Sequence, residues 1–511
     1  MPRVDSITSK VVSRIVGDKF IKLFEDEHGD PFIAPNGDGT QIYAIGSSAF
    51  SDWLMPFVMD EFDNQVLVRD QAKNITETLR GYAKYRGEGK IRLSLRFHED
   101  EYGNFWYDLG REAVKIQPNR WSVEAYPPIM FTRFADCQKS QVAPKYGGDI
   151  MDLFKFINVE DKYDRLLIIA FIVFSLVPYG NKPILSLSGQ AGSGKTEASK
   201  TIKSLVDPTV PLITSLSDKT DELDRMAQTN AVMAFDNLSG LSTRMSDHWC
   251  KLATGLGVRI KKYYVTSEYI TFEAIRPIIA NGISQTLVQS DVLNRAIPVE
   301  LIPLKKRIDD QEFRKQFEAS KPFLLGAMFT LLSKAMVAYQ NVPQRDWPRM
   351  GTFSKWGWAI TESLDGYCGD DFIAALDKIT SAQHDEAITA NPIAQAISLF
   401  MGGIDVWKDT AAELLYQLNH NQSTSDSYPK CVSEVDNQLQ ELRFGPYWPK
   451  DPRGLSVALR RVIPDLKSIG IDVEVDIREG NKRLIKIVNN NVLSGKEPMW
   501  TEDQLIGLRE D

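Results

Sequence analysis

The chain has 511 residues, of which 43% are apolar and 25% are charged, and this composition is typical of a globular protein with several domains. It excludes a disordered or fibrous chain. The formal net charge of -8 argues against a protein whose whole surface coats nucleic acid, but it leaves room for a local basic channel.

The N-terminal sequence, the most apolar run and the cysteines give a second set of expectations. The N-terminal sequence has no long apolar core, so we expect no signal peptide and a cytoplasmic protein. The most apolar run, 166–177, is too short to cross a bilayer and predicts a buried helix, so no membrane partner is expected. Four widely spaced cysteines predict neither a zinc ribbon nor a disulfide framework.

The pattern of apolar residues predicts a multidomain α/β protein. An N-terminal α+β accessory domain (1–135) has hairpins at Phe24–Pro35 and Leu95–Gly110, with helical periodicity at Ser51–Arg86. The hairpin tips are acidic, but they lack EF-hand spacing and predict solvated turns rather than calcium sites. The expected order then continues with a helical linker or collar (140–182), an α/β core (183–305), a helical lid (306–392, helices at 309–340 and 350–380), a C-terminal module (393–490) and a tail (491–511).

The strongest motif is a glycine-rich loop between a predicted strand and a predicted helix. The strand Ile184–Ser188 leads into GQAGSGKT, residues 189 to 196. The glycines let successive N–H groups face an anion at the positive end of the following helix. This pattern predicts an ATP site in which Lys195 reaches the β- and γ-phosphates and Thr196 holds Mg²⁺. The expected nucleotide-binding residues are Gly189, Gln190, Ala191, Gly192, Ser193, Gly194, Lys195, Thr196 and Glu197.

A second strand should supply an acid for the magnesium ion. The apolar run 231–235 ends in Asp236, which we expect to be the second metal-binding side chain. Many ATPases place a glutamate next, as the base for the attacking water, but this chain has Asn237. An amide can orient water but cannot accept its proton, so the identity of the base stays open.

Two further polar residues follow in an order that suits a ring-shaped ATPase. A third strand, Arg276–Ala280, ends in Asn281, which could contact the γ-phosphate or the attacking water. Arg295 follows a short helix, where a ring ATPase presents a cation to its neighbour's nucleotide. The alternative is a local salt bridge from Arg295 to Asp291.

In combination, the motifs GQAGSGKT, AFDNLSG, RPIIANGIS and DVLNRAIPVEL resemble the AAA+ ATPases of phages and other mobile elements. These ATPases are similar to superfamily III and MCM-like replicative helicases, and the resemblance covers residues 140 to 490. It implies an AAA+ core with a helical lid, a Walker A loop, Walker B at Asp236, sensor 1 at Asn281 and a trans-acting arginine finger at Arg295. Asn237 departs from the usual acid-acid pair, and Arg349 is the candidate for the basic residue of the lid.

The stretch Gly257–Ala274 has two β-rich runs that flank residues 265–268 and predict a hairpin. Helicases of the resembled kind point such a hairpin into a central pore. Cations there would contact the phosphates of a single strand, and a tyrosine could stack on a base. The candidates are Arg259, Lys261, Lys262 and Tyr263. The alternative is a solvated hairpin with one charged face.

The C-terminal module resembles a winged helix-turn-helix. Helices at 410–418 and from Pro452 onward precede two strands around a Gly480-Asn481 turn. The second helix of this plan can enter a major groove. The candidates for duplex contacts are Arg453, Arg460, Arg461 and Lys482. The module could instead dock another protein or cap a ring.

These patterns together predict an ATP-dependent, ring-shaped DNA helicase, expected to be a hexamer, that unwinds DNA for the replication of a mobile element. ATP and Mg²⁺ are the expected cofactors, and a primase or an initiator protein is a candidate partner. Two alternatives stay open. One is an ATPase that remodels proteins or acts in defence without unwinding, and the other is a DNA-binding initiator or regulator that ATP only switches.

Overall fold

The computed structural model describes residues 6–37, 41–132, 134, 137–261, 269–282, 290–304, 309–347, 350–420, 448–480 and 482–493. The chain forms two units, Met1–Leu376 and Asp377–Asp511. The first unit contains the residues of the expected N-terminal domain, linker and core, and it ends inside the region expected to be the lid.

The N-terminal part of the first unit contains two antiparallel sheets and several helices. One sheet has the order β1-β2-β3 and the other has the order β4-β5-β6-β7. The elements are α1 (Ile7–Gly17), β1 (Lys22–Glu25), β2 (Pro31–Ala34), β3 (Tyr43–Ala44), α2 (Ser48–Glu61), α3 (Arg69–Arg86), β4 (Phe97–Glu99), β5 (Phe105–Asp108), β6 (Ala113–Gln117) and β7 (Arg120–Glu124). The helical periodicity of Ser51–Arg86 therefore belongs to two helices, because Asp63 and Asn64 between them adopt positive φ angles of 46° and 59°.

Both predicted hairpins form, and their acidic tips are turns. In each tip one aspartate, Asp26 or Asp100, accepts the backbone N–H groups two and four residues ahead at 2.8 to 3.0 Å. A glycine follows three residues later with positive φ, 83° at Gly29 and 75° at Gly103. The near-identical sequences EDEHGD and EDEYGN thus build the same turn twice, as expected of Asx turns.

A five-stranded parallel sheet forms the centre of the first unit, in the order β14-β8-β13-β10-β9. Its long strands are buried on both faces and therefore read as continuous apolar runs. The strands are β8 (Ile184–Ser188), β9 (Thr214–Ser215), β10 (Met233–Leu238), β13 (Ile278–Gly282) and β14 (Ala296–Glu300). The other elements of this region are α4 (Lys162–Ser175), α5 (Lys195–Val206), α6 (Thr220–Thr229), α7 (Thr243–Thr254), β11 (Leu256–Lys261), β12 (Tyr269–Ala274) and α8 (Ser290–Leu293).

The apolar run 166–177 is buried, as predicted, and most of it lies in α4. A 3₁₀ turn, Ile150–Lys155, precedes this helix. At its C-terminal end the buried Lys182 ammonium donates to the carbonyl oxygens of Phe174 and Tyr179, at 3.2 and 3.3 Å, and to that of Val177. A lysine thus satisfies helix-end carbonyls that would otherwise be buried without partners.

The helices that follow the sheet begin with α9 (Asp310–Ala338), α10 (Gly351–Glu362) and α11 (Gly369–Ala390). The expected helix 350–380 is interrupted after α10, where Gly366 has a φ of 83°. Within the described residues, the stretch Asp310–Asn341 is long and apolar enough to span a membrane by composition, with a mean hydropathy of 1.4. However, 61% of the most apolar 18 residues of this stretch are buried inside the protein, which is typical of a core helix.

A buried ionic cluster joins the N-terminal sheets to the central sheet. Asp207, directly after α5, accepts from Lys203 Nζ at 2.6 Å and from Arg96 Nε at 3.2 Å. Its carboxylate also accepts the N–H groups of Ala231 and Val232, which lead into β10. One carboxylate therefore holds together the end of α5, the start of β10 and the loop before β4.

The second unit combines helices with a three-stranded sheet of order β15-β17-β16. Its elements are α12 (Pro392–Phe400), β15 (Val406–Thr410), α13 (Ala411–His420), α14 (Pro452–Ser468), β16 (Ile471–Glu479), β17 (Lys482–Asn489) and α15 (Asn490–Leu493). Asp451 caps α14, and the predicted strand pair β16-β17 forms. The core of this unit includes the fully buried Trp407.

Candidate functional site

The glycine-rich loop lies at the carboxyl end of β8, and it needs its glycines. Gly189, Gly192 and Gly194 have φ angles of 142°, 85° and 82°, which other residues rarely adopt. A Cβ atom on Gly189 would lie 2.4 Å from the carbonyl oxygen of Leu301. The loop thus follows a path that brings backbone N–H groups together at the N-terminus of α5.

The side chains of this loop fall into two groups. Gln190, Ala191 and Gly192 are exposed, whereas Ser193 is buried and its hydroxyl has no hydrogen-bond partner among the described residues. Lys195 Nζ donates to the carbonyl oxygens of Gly189 and Gln190 at 2.6 and 3.0 Å, so it folds back over the loop. Its ammonium therefore lies where an anion held by the loop would meet it.

Glu197 follows the loop but turns toward its own helix. Its carboxylate accepts a hydrogen bond from Lys200 Nζ at 2.6 Å, a spacing of three residues along α5. Its place in the motif predicts a nucleotide-binding residue, and in the structure its carboxylate is paired with a lysine of the same helix.

The hydroxyl of Thr196 and the carboxylate of Asp236 meet, as the sequence predicts for a shared metal ion. Thr196 Oγ1 donates to Asp236 Oδ1 at 3.0 Å. The two residues are 40 positions apart and lie on different elements, α5 and β10. Two side-chain oxygens therefore converge at the carboxyl end of the central sheet, where α/β proteins bind their ligands.

Asn237 has an unusual backbone and an exposed side chain. Its φ is 53°, in the left-handed region, and the pairing register of β10 shifts between Phe235 and Leu238. Asparagine tolerates this region better than most residues.

Asn281 connects the two halves of the site from β13, the strand between β8 and β10. Its side chain is 3% exposed, its Oδ1 accepts the N–H of Asn237 at 2.9 Å, and its Nδ2 donates to Ser199 Oγ at 2.9 Å. Sequence reasoning missed Ser199. The available signal was its position three residues after Thr196, on the same face of α5.

Arg295 lies at the amino end of the strands, opposite the carboxyl end that carries the glycine-rich loop. It precedes β14, and its carbonyl oxygen accepts the N–H of Ile184, the first residue of β8. The five residues of β8 separate it from the glycine-rich loop of its own chain by about 15 Å. Its Nη1 donates to the main-chain oxygen of Asp291 at 2.5 Å, rather than forming a salt bridge with that carboxylate within the described residues. Burial raises the pKa of the nearby Cys250 thiol, and the charge of Arg295 opposes this rise.

The hairpin predicted at 257–274 forms, with β11 and β12 antiparallel from the pair Leu256 and Ala274 to the pair Lys261 and Tyr269. Arg259 and Lys261 belong to β11. Lys262 and Tyr263 lie outside the described residues, as does Arg349.

The basic candidates of the second unit lie on two elements. Arg453, Arg460 and Arg461 are exposed on α14, and Arg460 forms a salt bridge with Asp476 in β16. Lys482 opens β17 and pairs in register with Glu479. Two of these basic groups therefore have an acidic neighbour in β16.

Two models of protein families match the chain. One describes the replication protein RepA of actinomycete integrative conjugative elements and matches residues 149–381. The other describes the C-terminal domain of the same RepA and matches residues 393–498, so that together they cover more than half of the chain. The chain belongs to this replication-protein family. It is therefore a replication protein of a mobile genetic element.

Solved structures resemble this replication protein at low identity. One is described as an active helicase, Cch of SCCmec type IV, with 10% identity, 93% of each chain covered and a TM-score of 0.44. Another is the C-terminal region of NrS-1, with 12% identity, a TM-score of 0.41, and coverage of 94% of this chain and 98% of that one. No curated protein matches the sequence significantly. The likenesses in structure are too loose to assign a function.

Proposed function

We propose that this replication protein is an ATP-driven, ring-shaped DNA helicase. The observation that carries the proposal is the 3.0 Å contact between Thr196 Oγ1 and Asp236 Oδ1. A hydroxyl at the start of α5 and an acid on a buried strand, brought together at the carboxyl end of the sheet, suit a nucleotide-bound Mg²⁺.

The residues present fit both expected cofactors. Mg²⁺ takes one or two protein oxygens and completes its shell with phosphates and water, which matches Thr196 and Asp236. Among the described residues no group of three or more acidic, histidine or cysteine side chains could form a separate metal cage. The loop supplies N–H groups for phosphates, and Lys195 supplies a positive charge beside them.

Arg295 supports an assembly of several copies. Its backbone lies at the other end of β8 from the loop of its own chain, about 15 Å away, and its side chain is only half-buried. In a ring, each copy would present this guanidinium to the nucleotide of its neighbour, where it stabilises transition-state charge. We take sensor 1 to be Asn281, which ties the N–H of Asn237 to α5 and could transmit a change at the nucleotide to β10.

The hairpin β11-β12 and the second unit would engage DNA. In the proposed ring, the hairpin carries Arg259, Lys261, Lys262 and Tyr263 toward a single strand in the pore. Within the described part of 392–489, the elements follow in the order α12, β15, α13, α14, β16 and β17, which supports a winged helix with α14 as the helix that would enter duplex DNA.

Strand displacement on forked DNA tests the proposal. We expect the wild type to unwind the fork only with ATP and Mg²⁺, and Lys195→Ala to lose unwinding by about a hundredfold or more, because a phosphate contact is removed. Lys200→Ala is the matched control, since it removes a lysine from the same helix that pairs with Glu197 instead. We expect it to keep most of the activity.

Two results would contradict the helicase assignment. ATP hydrolysis that single-stranded DNA does not stimulate, without unwinding, would favour a protein-remodelling ATPase. Sequence-specific duplex binding that survives Lys261→Ala with Lys262→Ala, again without unwinding, would favour an ATP-switched initiator.

A further inference from the structure

A group of basic side chains lies on α3 and the segment that follows it, far in sequence from the candidate sites above. Residues 69–92 contain seven basic and three acidic residues, in a chain with a net charge of -8. None of the seven forms an ion pair with a described residue, whereas the acidic Glu88 pairs with Lys22 at 3.5 Å. The seven are Arg69, Lys73, Arg80, Lys84, Arg86, Lys90 and Arg92. We call them the α3 basic face.

Four of these charges form one stripe along the helix. Arg69, Lys73, Arg80 and Lys84 are spaced by four, seven and four residues, which places them on one side of α3. The side of the helix that carries Ile75, Leu79 and Ala83 packs into the core and flanks this stripe. The stripe extends about 22 Å at 1.5 Å per residue. Three of its four side chains are exposed, so the charges face solvent.

An exposed aromatic ring lies near the C-terminal end of α3, on a different side of the helix from the stripe. Tyr85, between Lys84 and Arg86, is 88% exposed and is therefore not held by packing. A tyrosine with a cation on either side of it in the sequence suits a nucleotide chain, because the cations can meet phosphates while the ring stacks on a base. Only a single strand offers free base faces, since in a duplex the bases stack on one another.

Two arginines of the basic face line a cleft that also borders the region of the central sheet. Arg80 and Arg92 line a cleft of about 780 Å³ within the first unit, together with Glu273 and Ile275 at the base of β12. The acidic tip around Asp26 lines the same cleft. A polyanion would therefore be attracted to the arginine side of the cleft and repelled from the tip.

We propose that the α3 basic face binds single-stranded DNA through its phosphates, with Tyr85 stacking on a base. This is a DNA site separate from the hairpin β11-β12 and from α14. It would hold a strand beside the cleft that borders the hairpin strand β12. Binding here needs neither nucleotide nor a ring, so it can be measured whether or not the protein is a motor.

The test measures anisotropy of a fluorescent oligo(dT) with the full chain and no nucleotide. Lys73→Glu/Lys84→Glu/Arg86→Glu should weaken binding by about tenfold or more and reduce the slope of log K against log salt by about 2. The matched control, Arg314→Glu/Lys315→Glu/Lys334→Glu, changes three exposed cations of α9 by the same charge. We expect less than about twofold from it. Equal effects of the two triple variants would overturn the proposal.

Two variants of Tyr85 provide the second test. Tyr85→Ala should weaken oligo(dT) binding by about fivefold or more, while Tyr85→Phe should bind like the wild type, because it keeps the stacking ring. Duplex DNA of the same length should show no difference between the two variants. A duplex that binds as tightly as oligo(dT), or a Tyr85→Ala protein that binds like the wild type, would overturn the single-strand assignment.

The same variants separate this surface from the proposed motor. ATP hydrolysis measured without DNA should be unchanged in the Lys73→Glu/Lys84→Glu/Arg86→Glu protein, which also shows that it is folded. If the wild type binds oligo(dT) through this face but never unwinds a fork, the helicase proposal fails and the surface stands. If it unwinds and the triple variant binds like the control, the surface fails alone.

Discussion

At the scale of single residues, the backbone of Asn237 explains why an asparagine suits this position. Its φ of 53° is left-handed, a region that costs most L-residues about 1 kcal/mol and asparagine or glycine less. The left-handed backbone therefore favours an asparagine at this position for a reason that is independent of catalysis.

This gives a stability prediction. Asn237→Glu should lower the midpoint of thermal unfolding by about 1 °C, whereas Asn237→Gly should leave it close to that of the wild type. Differential scanning calorimetry of the two variants checks it. Equal and large losses in both would mean that the amide side chain, not the backbone, stabilises this position.

How far residues could be predicted depends on how local their contacts are. The glycine-rich loop could be predicted because its glycines, Lys195 and Thr196 act within eight neighbouring positions. Asp236 could be predicted from the apolar strand before it. The link from Asn281 to Ser199 could not, because it depends on the strand register and on where α5 packs.

At the scale of elements, the buried cluster around Asp207 connects α5 to the N-terminal part. Burial alone would raise the pKa of Asp207, but Lys203 and Arg96 lower it to about 2. An acid whose pKa falls on folding stabilises the folded state at pH values above its unfolded pKa, here 3.8. That contribution should disappear as the pH falls from about 4 to about 2.

Asp207→Asn should therefore destabilise the first unit by about 3 to 5 kcal/mol at neutral pH, because two buried cations lose their partner. Urea unfolding at pH 7 and at pH 3 measures it, with a smaller difference from the wild type at pH 3. Asp152→Asn is the control, since its pair with Lys155 is exposed and should contribute less than about 0.5 kcal/mol. Equal effects of the two variants would show that the cluster does not hold these elements together.

Element prediction succeeded where the pattern is strong and local. The two acidic hairpins, α4 and the strand pair β16-β17 follow from alternation, apolar runs and turn residues. It was coarser where a helix breaks, as between α2 and α3, because hydrophobic periodicity continues across a short left-handed turn.

At the scale of the whole molecule, the N-terminal sheets share one unit with the central sheet, although the sequence gives them the appearance of a separate accessory domain. Arg96 and Asp207 are 111 residues apart, and no sequence pattern pairs them. The N-terminal part is therefore placed to affect α5, and through it the glycine-rich loop.

The central claim is that each nucleotide site is completed by a second copy of the chain. Lys195→Ala and Arg295→Ala proteins should each lack ATP hydrolysis, and their effects should lie on opposite sides of one interface. The most direct measurement is the ATPase rate of an equimolar mixture of the two variants. About one quarter of the interfaces in mixed rings would have both residues intact, so we predict that mixing restores a clear fraction of the wild-type rate. A mixture as inactive as its components, while wild-type and Lys195→Ala proteins mix into rings, would contradict the account.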